Sequence, residues 1–456
     1  MKILLCNPKN TQGTKHSRKG MYVPLGILSI ATCLKKRFGD EVEITVVDED
    51  VDDHFPQELG DYNLVGLYST TFNYKQAARY AYFAKEQGCT TVLGGPHPSI
   101  LYDNILRHKS CFDYVLRFET EFSFVALVEH LMEKSLANLL DIPGLAFKDA
   151  DGKIHASKTI PELNLADLPI ISRDFVRFDR YVENYRSVYS DSEDVVPGSV
   201  YSSKGCSWRD KTGGCVFCAR LEEGVRFRPI PQIWEEIALL KDRYGVNTIW
   251  DIADDNLNNK EWFIEFVESR PDSCRDMRFF IYSRVNCIKP WVIDYFHKLG
   301  VDEVFLGVES GDNRLLKGSF KGQTRESALR ALRILQDGGV RFYPSFVLGL
   351  PGENVESMEN TLSMCREIRE MGGLSRMSAT ILKPIPGSAA YDMVLEKTRF
   401  GKDLAISDDV DLVFLEKYWI ESMTGTTYYA VEEYRDKINV LMGGLQVFGS
   451  SSKESS

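Results

Sequence analysis

The spacing of apolar and polar positions predicts alternating strands and helices over residues 1–138. Short apolar runs typical of buried parallel strands alternate with segments whose apolar residues recur at helical spacing. The predicted strands are Lys2–Cys6, Val42–Val47, Leu64–Tyr68, Thr91–Leu93 and Tyr114–Leu116. The predicted helices are Pro24–Phe38, Tyr74–Gln87 and Phe122–Lys134. This order predicts an α/β domain with a doubly wound parallel sheet, in which ligands bind beyond the carboxyl ends of the strands.

Small residues follow two of these strands. Ser69, Thr70 and Thr71 form one group, and Gly94 and Gly95 begin the other. Glycine lets the backbone approach a bulky ligand, and the hydroxyls can bond amide or phosphate groups. Taken without the rest of the chain, both groups are better explained as ordinary strand-to-helix turns. His97 stands between two prolines, and we expect it to shape the second turn.

Residues 139–197 are predicted to connect two domains. Gly144–Ile154 has the pattern of a β-hairpin with a glycine-containing turn. A linker ending at Pro169 follows. Three tyrosines at four-residue spacing are followed by three acidic residues, and this pattern predicts an exposed helix and loop. The residues are Tyr181, Tyr185, Tyr189, Asp191, Glu193 and Asp194.

A second strand–helix series occupies residues 198–395. Its predicted strands are Gly198–Ser203, Thr248–Ile252, Phe279–Ser283, Val304–Val308, Arg341–Leu348 and Arg376–Leu382. Its clearest predicted helices are Ile233–Tyr244 and Arg325–Gly338. Six strands with intervening helices predict a partial (β/α)6 barrel, whose active site lies at the carboxyl ends of the strands. Polar residues stand at those ends, among them Asp254, Ser283, Arg284 and Glu309.

The end of the chain is predicted to be helical and then polar. Leu412–Ile420 is amphipathic and Val431–Val447 has helical spacing, so residues 396–448 form a small helical region. Residues 449–456 are serine-rich, and we expect a disordered tail.

Composition and charge restrict the classes of partner. The chain of 456 residues has 43% hydrophobic and 27% charged residues, which is ordinary for a globular protein of two or three domains. Its net charge of −11 argues against nucleic acid as the main partner. Apolar runs stay well short of the ~20 residues of a membrane span, and the N-terminus opens directly into a strand pattern. We therefore expect a cytoplasmic protein without a membrane partner.

Three of the ten cysteines stand close together. Cys206, Cys215 and Cys218 lie within 13 residues, with two glycines before the second. Thiolates so close in one loop converge on one metal centre more easily than they form separate disulfides. A closed zinc site needs four ligands, whereas three cysteines on a 4Fe–4S cluster leave one iron open for an exchangeable ligand. Half of a zinc site is the alternative.

The other seven cysteines are scattered singly, and we expect small buried apolar residues in a reducing cell. They are Cys6, Cys33, Cys89, Cys111, Cys274, Cys287 and Cys365.

Several short motifs occur in a characteristic order on these strands and loops. They are Pro24-Leu25-Gly26-Ile27, Gly94-Gly95-Pro96-His97, Cys215-Val216-Phe217-Cys218, Gly307-Val308-Glu309-Ser310-Gly311, Gly349-Leu350-Pro351-Gly352-Glu353 and Pro386-Gly387-Ser388. Together they resemble the radical S-adenosylmethionine (SAM) superfamily, in its branch with an N-terminal cobalamin-binding domain. The resemblance extends over nearly the whole chain up to about residue 395.

The resemblance implies cofactors and roles for the site residues. The three clustered cysteines would hold the 4Fe–4S cluster, whose open iron would chelate SAM, and Phe217 would pack near the adenine. Glu309 matches a family position that contacts SAM. Asp254, Ser283 and Arg284 would face the same mouth and bind ribose, carboxylate or substrate. Cobalamin would lie between the domains, over the two groups of small residues at Ser69-Thr70-Thr71 and Gly94-Gly95.

The chain departs from the family pattern in three places. Eight residues, not the common three, separate the first two cysteines, so residues 207–214 include an insertion that we expect to bulge over the SAM or substrate side. The Asp-x-His-x-x-Gly motif is missing: Asp52-Asp53-His54 begins similarly without the glycine, so no histidine is expected from that motif as a ligand of cobalamin. Phe118 replaces a common glycine and is expected to narrow the cobalamin groove.

The resemblance favours a radical enzyme that cleaves SAM reductively and abstracts hydrogen from a small-molecule substrate. Cobalamin-dependent C-methylation in natural-product or cofactor biosynthesis is the first hypothesis, with an electron donor such as flavodoxin or ferredoxin. A dehydratase, oxidase or rearrangement enzyme that keeps the first domain as a scaffold is the second. A methylthiotransferase acting on transfer RNA is disfavoured by the charge and by the absence of a second cysteine triad. A non-enzymatic cluster or cobalamin sensor is the remaining class.

Overall fold

The computed structural model describes residues 1–12, 20–51, 54–133, 138–161, 163–189, 194–219, 221–397 and 399–441. The strands are β1 (Lys2–Asn7), β2 (Glu43–Asp48), β3 (Leu64–Tyr68), β4 (Thr90–Gly94), β5 (Tyr114–Leu116), β6 (Leu145–Lys148), β7 (Ile154–Ala156), β8 (Pro197–Val200), β9 (Ser203–Lys204), β10 (Arg226–Phe227), β11 (Thr248–Asp251), β12 (Arg278–Arg284), β13 (Val301–Glu309), β14 (Arg341–Leu348) and β15 (Ser378–Ile381).

The helices that position the site come from both halves of the chain. They are α1 (Leu25–Phe38), α2 (Tyr74–Glu86), α3 (Pro96–His108), α4 (Glu121–Leu131), α5 (Phe178–Val188), α6 (Ser207–Thr212), α7 (Ile230–Tyr244), α8 (Lys260–Glu268), α9 (Val292–Leu299), α10 (Asn313–Gly318), α11 (Arg325–Asp337), α12 (Val355–Glu370), α13 (Ala389–Lys397), α14 (Gly401–Ala405), α15 (Leu412–Met423) and α16 (Tyr428–Val440). Predictions for Asp52, Asp53, Asp191, Glu193 and residues 442–456 lie outside the described residues.

The first sheet has the strand order β2-β1-β3-β4-β5-β6-β7, and its first five strands are parallel. Leu5 in β1 pairs with Val46 on one side and Gly66 on the other. The predicted doubly wound parallel α/β domain is thereby confirmed. Crossover helices between parallel strands place every carboxyl end at one edge of the sheet.

The predicted hairpin forms from β6 and β7, and it adds to the first sheet. Val115 in β5 pairs with Ala146 in β6, antiparallel to the other strands. Leu145 and Ala146 are fully buried, because these apolar side chains pack under the sheet's helices. The hairpin is therefore an edge of the first sheet, although its residues fall within the predicted connector.

The prediction of a turn over Gly94–Pro98 is wrong, because helix α3 begins at Pro96. Proline is tolerated in the first helical turn, where backbone N–H groups have no partner within the helix. His97 therefore lies in a helix and does not shape a turn.

The second sheet has the order β15-β14-β13-β12-β11-β8, and all its pairs are parallel. The six predicted strands of the partial barrel are confirmed. Strands β8 and β15 are the two edges, so the curled sheet stays open. Helices cover its outer face, where residues such as Val304, Phe342 and Phe346 are fully buried.

The prediction of an exposed helix at the three tyrosines is wrong. Tyr181, Tyr185 and Tyr189 are 2%, 4% and 5% exposed. Their four-residue spacing puts them on one side of α5 and its end. The Tyr181 hydroxyl donates to Asp48 Oδ2 at 2.6 Å, and Tyr185 packs edge-on against Trp250. The helix thus joins the first sheet to the interior of the barrel.

The C-terminal helices pack against both domains. The Asn439 side chain in α16 accepts from the backbone N–H of Ala379 in β15 at 3.0 Å. Gln12 donates to the Val410 carbonyl at 2.9 Å and accepts from the Leu412 N–H at 2.8 Å. The helical C-terminal region is therefore part of the folded core. Helices in the described part of the chain are all too short or too polar to cross a membrane.

Candidate functional site

The cysteine loop is pinned to the barrel by its own backbone. The Val216 N–H donates to the Ser319 carbonyl at 3.1 Å, and the Val216 carbonyl accepts from the Ala390 N–H at 2.9 Å. The Cys218 N–H donates to the Cys215 carbonyl at 3.0 Å, which closes a turn between these two cysteines. The loop that carries two of the three thiols is therefore held in place before any cofactor binds.

The three thiols are free and partly exposed. Burial raises the pKa of Cys215 to about 11, while Lys321 lowers it and Glu309, Cys218 and Cys206 raise it further. Cys215 thus lies within electrostatic range of both other thiols and of a buried cation. The donor set fits a 4Fe–4S cluster, because thiolates are the ligands of such clusters. Within the described ranges, no three His, Cys, Asp or Glu side chains are already arranged to hold a metal ion.

The insertion after Cys206 folds as α6 and docks on the barrel. Trp208 Nε1 donates to the Phe320 carbonyl at 2.7 Å. Its ring covers Gly322, where a Cβ would lie 2.1 Å from the indole and where φ is +70°. The Arg284 guanidinium lies 5.5 Å from the same ring. Trp208 therefore ties the first cysteine to the loop that follows Glu309.

Glu309 ends β13 in an unusual backbone conformation. Its φ is +66°, in the left-handed region that favours glycine, and the pairing register with β14 shifts beside it. The Lys321 ammonium donates to Glu309 Oε1 at 2.6 Å, and both side chains are 8% exposed. Burial lowers the pKa of Lys321, but Glu309 and Cys215 outweigh it and hold that pKa above its ordinary value. The mouth of the barrel thus contains a buried ion pair.

A second ion pair lies at the end of β12, and its acid is Asp255. Asp255 accepts from Arg284 Nε at 3.0 Å and from the Ser283 hydroxyl at 3.2 Å. Asp254 instead accepts from the Gly205 N–H at 3.0 Å, so it braces the residue before Cys206. Asp255 is therefore a fully buried partner of Arg284 that was not among the predicted site residues, whereas the predicted Asp254 contacts the backbone of the cysteine loop.

Six of the seven single cysteines are buried as predicted, but Cys287 is partly exposed. Its thiol donates to Asp255 Oδ2 at 3.3 Å. Cys287 therefore belongs to the barrel mouth and is not a simple core residue.

The predicted site residues of the barrel lie around one region, the barrel mouth. Arg284 is within electrostatic range of Cys206, as Glu309 is of Cys215. Phe217, between the last two cysteines, lies 5.9 Å from the Lys321 ammonium. Sequence reasoning missed Trp208 docking, Lys321, Asp255 and Cys287. The adjacent acids after β11 were the available signal for Asp255, whereas nothing in the local pattern marked Lys321.

A cavity of about 910 Å³ lies between the two sheets. The first sheet contributes Thr70, Thr71, Gly94 and Gly95 to its wall, and the barrel contributes Cys218. Ser69 does not line it: this residue is fully buried, and its N–H donates to the Gly94 carbonyl at 2.8 Å. The cavity therefore reaches the cysteine loop.

Gly95 lets the backbone pass closely at this wall. Its φ is +111°, and a Cβ there would lie 2.5 Å from the Ser69 carbonyl oxygen. Glycine is required, since a side chain would be strained and would clash with main chain. This close approach packs the segments that follow β3 and β4 against each other at the cavity wall.

Phe118 and His97 also line the cavity. Phe118 has a φ of +66°, so it keeps the left-handed conformation that glycine adopts most easily. His97 Nδ1 contacts Thr71 Oγ1 and Nε2 contacts the Asp408 carbonyl, both at 3.1 Å. Burial lowers the pKa of His97 to about 4. Both its nitrogens are engaged, so His97 acts as a neutral structural bridge to the C-terminal region.

An ionic cluster closes one side of the cavity. Glu119 accepts from Lys204 at 2.9 Å and from Arg226 at 2.5 Å. All three residues line the cavity. Glu119 belongs to the first sheet's loops, whereas Lys204 and Arg226 come from the small sheet before and after the cysteine loop. These pairs hold the two walls together.

Two family models match the chain. The radical SAM superfamily model matches residues 200–365, and the B12 binding domain model matches residues 12–128. The first range contains the cysteine loop, and the second contains the small-residue wall of the cavity.

Among the curated relatives are two that are named methyltransferases and one that is named a cyclase. An uncharacterized methyltransferase of Pyrococcus horikoshii is 27% identical over 408 residues, which are 87% of this chain and 83% of the relative. Bacteriochlorophyllide d C-12(1)-methyltransferase of Chlorobaculum tepidum is 23% identical, covering 87% of this chain and 79% of the relative. The anaerobic magnesium-protoporphyrin IX monomethyl ester cyclase of Rubrivivax gelatinosus is 25% identical, covering 80% of this chain and 66% of the relative.

Solved structures share the fold. The cobalamin-dependent SAM radical enzyme OxsB, with aqua-cobalamin bound, aligns with a TM-score of 0.63 and 17% identity. The alignment covers 88% of this chain and 56% of OxsB, so this chain spans about half of that protein. The radical SAM methyltransferase TsrM of Kitasatospora setae, with cobalamin and a 4Fe–4S cluster bound, aligns with a TM-score of 0.67 and 16% identity, covering 87% and 76%.

Proposed function

Because this chain is a radical SAM enzyme with an N-terminal B12-binding domain, we propose that it methylates a carbon atom of a small molecule in a cobalamin-dependent reaction. The pathway class that we propose is natural-product or cofactor biosynthesis. Two relatives that align with more than four-fifths of this chain bear methyltransferase names, which supports methyl transfer over the other radical reactions.

The observation that carries the proposal is the position of Cys218. This cysteine lines the cavity whose opposite wall is Thr70, Thr71, Gly94 and Gly95. A cluster held by the cysteine loop and cobalamin held in the cavity would therefore be neighbours. Adjacent sites are what a reaction needs when one cofactor supplies the radical and the other supplies the methyl group.

The proposed roles follow the chemistry of each residue. Cys206, Cys215 and Cys218 would hold the cluster, which supplies the electron for SAM cleavage when bound. Cobalamin, when bound, serves as the methyl carrier. Phe217 would shield the cluster from water and pack near the adenine. Glu309, fixed by Lys321, would orient SAM by its charged groups.

The residues at the ends of the second and third barrel strands have separate proposed roles. Asp254 would support the loop of the first cysteine through the Gly205 N–H. Ser283 and Arg284, anchored on Asp255, would contact ribose, carboxylate or substrate at the mouth. The reaction also requires an external reductant, for which we propose a flavodoxin or a ferredoxin.

The test uses the anaerobic full-length protein reconstituted with iron, sulfide and hydroxocobalamin and then desalted. We expect one retained cobalamin per chain by its absorption spectrum. With dithionite and SAM, we expect 5′-deoxyadenosine. Loss of all cobalamin on desalting would favour the dehydratase, oxidase or rearrangement alternative. Failure to form 5′-deoxyadenosine would overturn the enzymatic proposal and leave a cluster or cobalamin sensor.

A further inference from the structure

Two cations lie beside the proposed cluster ligands at the barrel mouth. The Lys321 ammonium is within electrostatic range of Cys215, and the Arg284 guanidinium is within range of Cys206. The side chain of Lys321 is 8% exposed and that of Arg284 is 18% exposed. Charges that are shielded from water interact more strongly than exposed charges do. Each of these two thiols therefore has a neighbouring cation that water screens little.

Backbone contacts hold Lys321 against the cysteine loop. The Val216 N–H donates to the Ser319 carbonyl at 3.1 Å, and Cys215 Sγ lies 4.0 Å from the Phe320 carbonyl oxygen. These contacts join the segment before Lys321 to the segment between the last two cysteines. Because they do not involve the Lys321 side chain, we expect a substitution at this position to leave the path of the loop unchanged.

Glu309 fixes the position of the ammonium. It accepts from Lys321 Nζ at 2.6 Å, and its own side chain is 8% exposed. A Cβ on Gly307 would lie 2.4 Å from Glu309 Oε1 and 2.8 Å from Lys321 Nζ, so the ion pair fills the space beside this glycine. The ammonium lies 5.9 Å from the ring centroid of Phe217, which stands between the last two cysteines. The ion pair is therefore packed between β13 and the cysteine loop.

The carboxylate of this ion pair cancels the cation only in part at the cysteine loop. Lys321 acts more strongly on the Cys215 thiol than Glu309 does, and with the opposite sign. The net electrostatic effect of the two side chains on this thiol is therefore that of a positive charge.

Arg284 repeats this arrangement at the first cysteine. Arg284 Nε donates to Asp255 Oδ2 at 3.0 Å, and Asp255 is fully buried. The guanidinium lies 5.5 Å from the ring of Trp208, which follows Cys206 closely in the chain. A buried carboxylate thus holds this second cation in position, at the end of β12.

The charge of the surroundings affects how readily an iron–sulfur cluster is reduced. Reduction transfers one electron from the external donor to the cluster, adds one negative charge, and forms or breaks no bond. Positive charge near the ligands stabilises the reduced form more than the oxidised form, so the reduction potential rises. Cations that are already fixed in place have this effect without rearrangement of the protein.

We propose that the fixed charges of Lys321 and Arg284 raise the reduction potential of the cluster held by the three clustered cysteines. The inference rests on the proposed function, since that function places the cluster on these cysteines. Glu309 and Asp255 are the positioning residues that keep the two cations beside the thiols. The raised potential brings the cluster within reach of the flavodoxin or ferredoxin that we propose as the reductant.

A redox titration measures this effect directly. The full-length protein would be reconstituted anaerobically with iron and sulfide, without SAM or cobalamin, and its reduced cluster would be followed by electron paramagnetic resonance. At a fixed potential, Lys321→Met should lower the ratio of reduced to oxidised cluster tenfold, which is a fall of about 59 mV in midpoint potential for one electron. Lys321→Arg keeps the charge and should stay within about threefold of the wild type. An unchanged midpoint in cluster-loaded Lys321→Met would overturn the proposal.

Glu309→Gln should change the midpoint in the opposite direction. It removes the negative charge of the ion pair and leaves the ammonium, so the ratio of reduced to oxidised cluster should rise. Substitutions that only disturbed the packing of the mouth would not shift the midpoint in opposite directions for the two partners. A midpoint at or below the wild-type value in Glu309→Gln would contradict the proposal, and this variant decides the question where Lys321→Met does not fold.

Arg284→Met tests the second cation, and it should lower the ratio at least threefold. Arg284→Lys keeps the charge and should lower the ratio less. Lys317→Met is the control, because Lys317 is exposed and its charge is screened by water and salt. Its midpoint should equal that of the wild type. A shift in Lys317→Met as large as that in Lys321→Met would show that a fixed, buried charge is not the cause, and would overturn the proposal.

The failure of this inference and that of the proposed function are distinguishable. Formation of 5′-deoxyadenosine from SAM with dithionite by the wild type reports on the radical function alone. Its formation together with unchanged midpoints in Lys321→Met and Arg284→Met would refute the inference and spare the function. The expected midpoint shifts without 5′-deoxyadenosine would refute the radical function and spare the inference.

Discussion

The two proposed cofactor regions are built differently. At the carboxyl ends of β3 and β4, the first sheet meets the cavity through Thr70, Thr71, Gly94 and Gly95, which are small and uncharged, although Glu119 and Glu121 of the same domain also line it. The barrel mouth instead contains two close ion pairs, between Lys321 and Glu309 and between Arg284 and Asp255. At the first sheet, backbone segments that pass close together shape the cavity wall. At the barrel mouth, buried charges are held in fixed positions.

This difference matches what each region is proposed to bind. A bulky corrin ring needs room, which glycine and small hydroxyl residues provide, and apolar contact, which Leu5, Ile27 and Phe124 in the cavity lining supply. SAM carries an amino group, a carboxylate and a sulfonium, and buried charges discriminate strongly among such groups. We therefore predict that substitutions at the barrel mouth change stability through the loss of a buried charge. Substitutions at the cavity wall should instead change the space for a ligand and the strain of the backbone.

Removal of the three cysteines should have the greatest effect, because it should abolish iron binding at the barrel mouth and leave cobalamin binding at the cavity unchanged. The Cys206→Ala, Cys215→Ala, Cys218→Ala triple variant should fall from about four irons per chain to none, because all three protein ligands are removed. Hydroxocobalamin should still be retained, since the small-residue wall is untouched. Iron analysis and visible absorption measure both.

Cys89→Ala is the control for that experiment, because Cys89 is buried in the first domain far along the chain from the loop. It should keep its iron. Iron retained by the triple variant would refute the ligand assignment, and joint loss of cobalamin would show that the two regions are not independent.

The second prediction removes one charge from the barrel mouth. Lys321→Met leaves the Glu309 carboxylate buried without its cation, which should lower the free energy of unfolding by about 3–5 kcal/mol. Lys317→Met, at an exposed lysine four residues earlier, should change it by less than about 0.5 kcal/mol. Urea denaturation of both proteins measures the difference. A loss below about 1 kcal/mol in Lys321→Met would show that fixed charge is unimportant there.

The third prediction concerns a buried acid near the mouth that lacks such a cation pair. Glu353 accepts from the Gly349 and Leu350 N–H groups, and burial raises its pKa from 4.5 to about 7. Because this pKa is raised in the folded state, the contribution of Glu353 to the free energy of unfolding is fully present below pH 4.5. It is lost as the pH rises through 7. The loss should reach up to about 3 kcal/mol.

Glu353→Gln tests this assignment, because glutamine keeps an oxygen acceptor and cannot ionise. Thermal and urea unfolding between pH 4.5 and pH 7 should show a flatter profile for the variant than for the wild type. Identical slopes would mean that other buried acids, such as Asp48 with its pKa raised by burial to about 6, set the profile.

The smallest expected effect lies at the cavity wall. Phe118→Gly and Phe118→Ala both remove the ring, but only glycine relieves the strain of a φ of +66°. Phe118→Gly should therefore be more stable than Phe118→Ala by about 1 kcal/mol. Both should retain cobalamin at least as well as the wild type, because the groove widens. Equal stability of the two variants would mean that the backbone relaxes when the ring is lost.

The alternation of strands and helices along the chain followed from the sequence because hydrophobic runs and helical spacing are local properties. All five parallel strands of the first sheet and all six of the barrel were predicted. Helix α3 was missed because Gly95, Pro96 and Pro98 resemble turn residues, although proline also suits the first turn of a helix. The tyrosines of α5 were predicted to be exposed because the acidic residues after them suggested a surface loop.

The motifs located both regions of the site. The cysteine loop, the end of β13 and Gly94-Gly95 at the end of β4 were proposed as site regions from residue type, position and the family resemblance, since parallel strands bring their carboxyl ends to one edge. Their neighbours were not found. Lys321 comes from a loop 12 residues after Glu309, and nothing in its local pattern marks it as a buried partner.

The sequence by itself determined the alternation of strands and helices, the two α/β units and the residue types available for metal and cofactor chemistry, because these depend on periodicity and composition. The folded structure was needed to show that Asp255 pairs with Arg284, that Asp254 accepts from the Gly205 N–H and that Trp208 anchors the insertion on Gly322. It was also needed to show that Cys218 reaches the cavity of the first sheet and that Tyr282, Phe305 and Tyr343 stand side by side on three neighbouring barrel strands. The physical reason is that such contacts depend on strand register, loop path and burial, which join residues far apart in the chain.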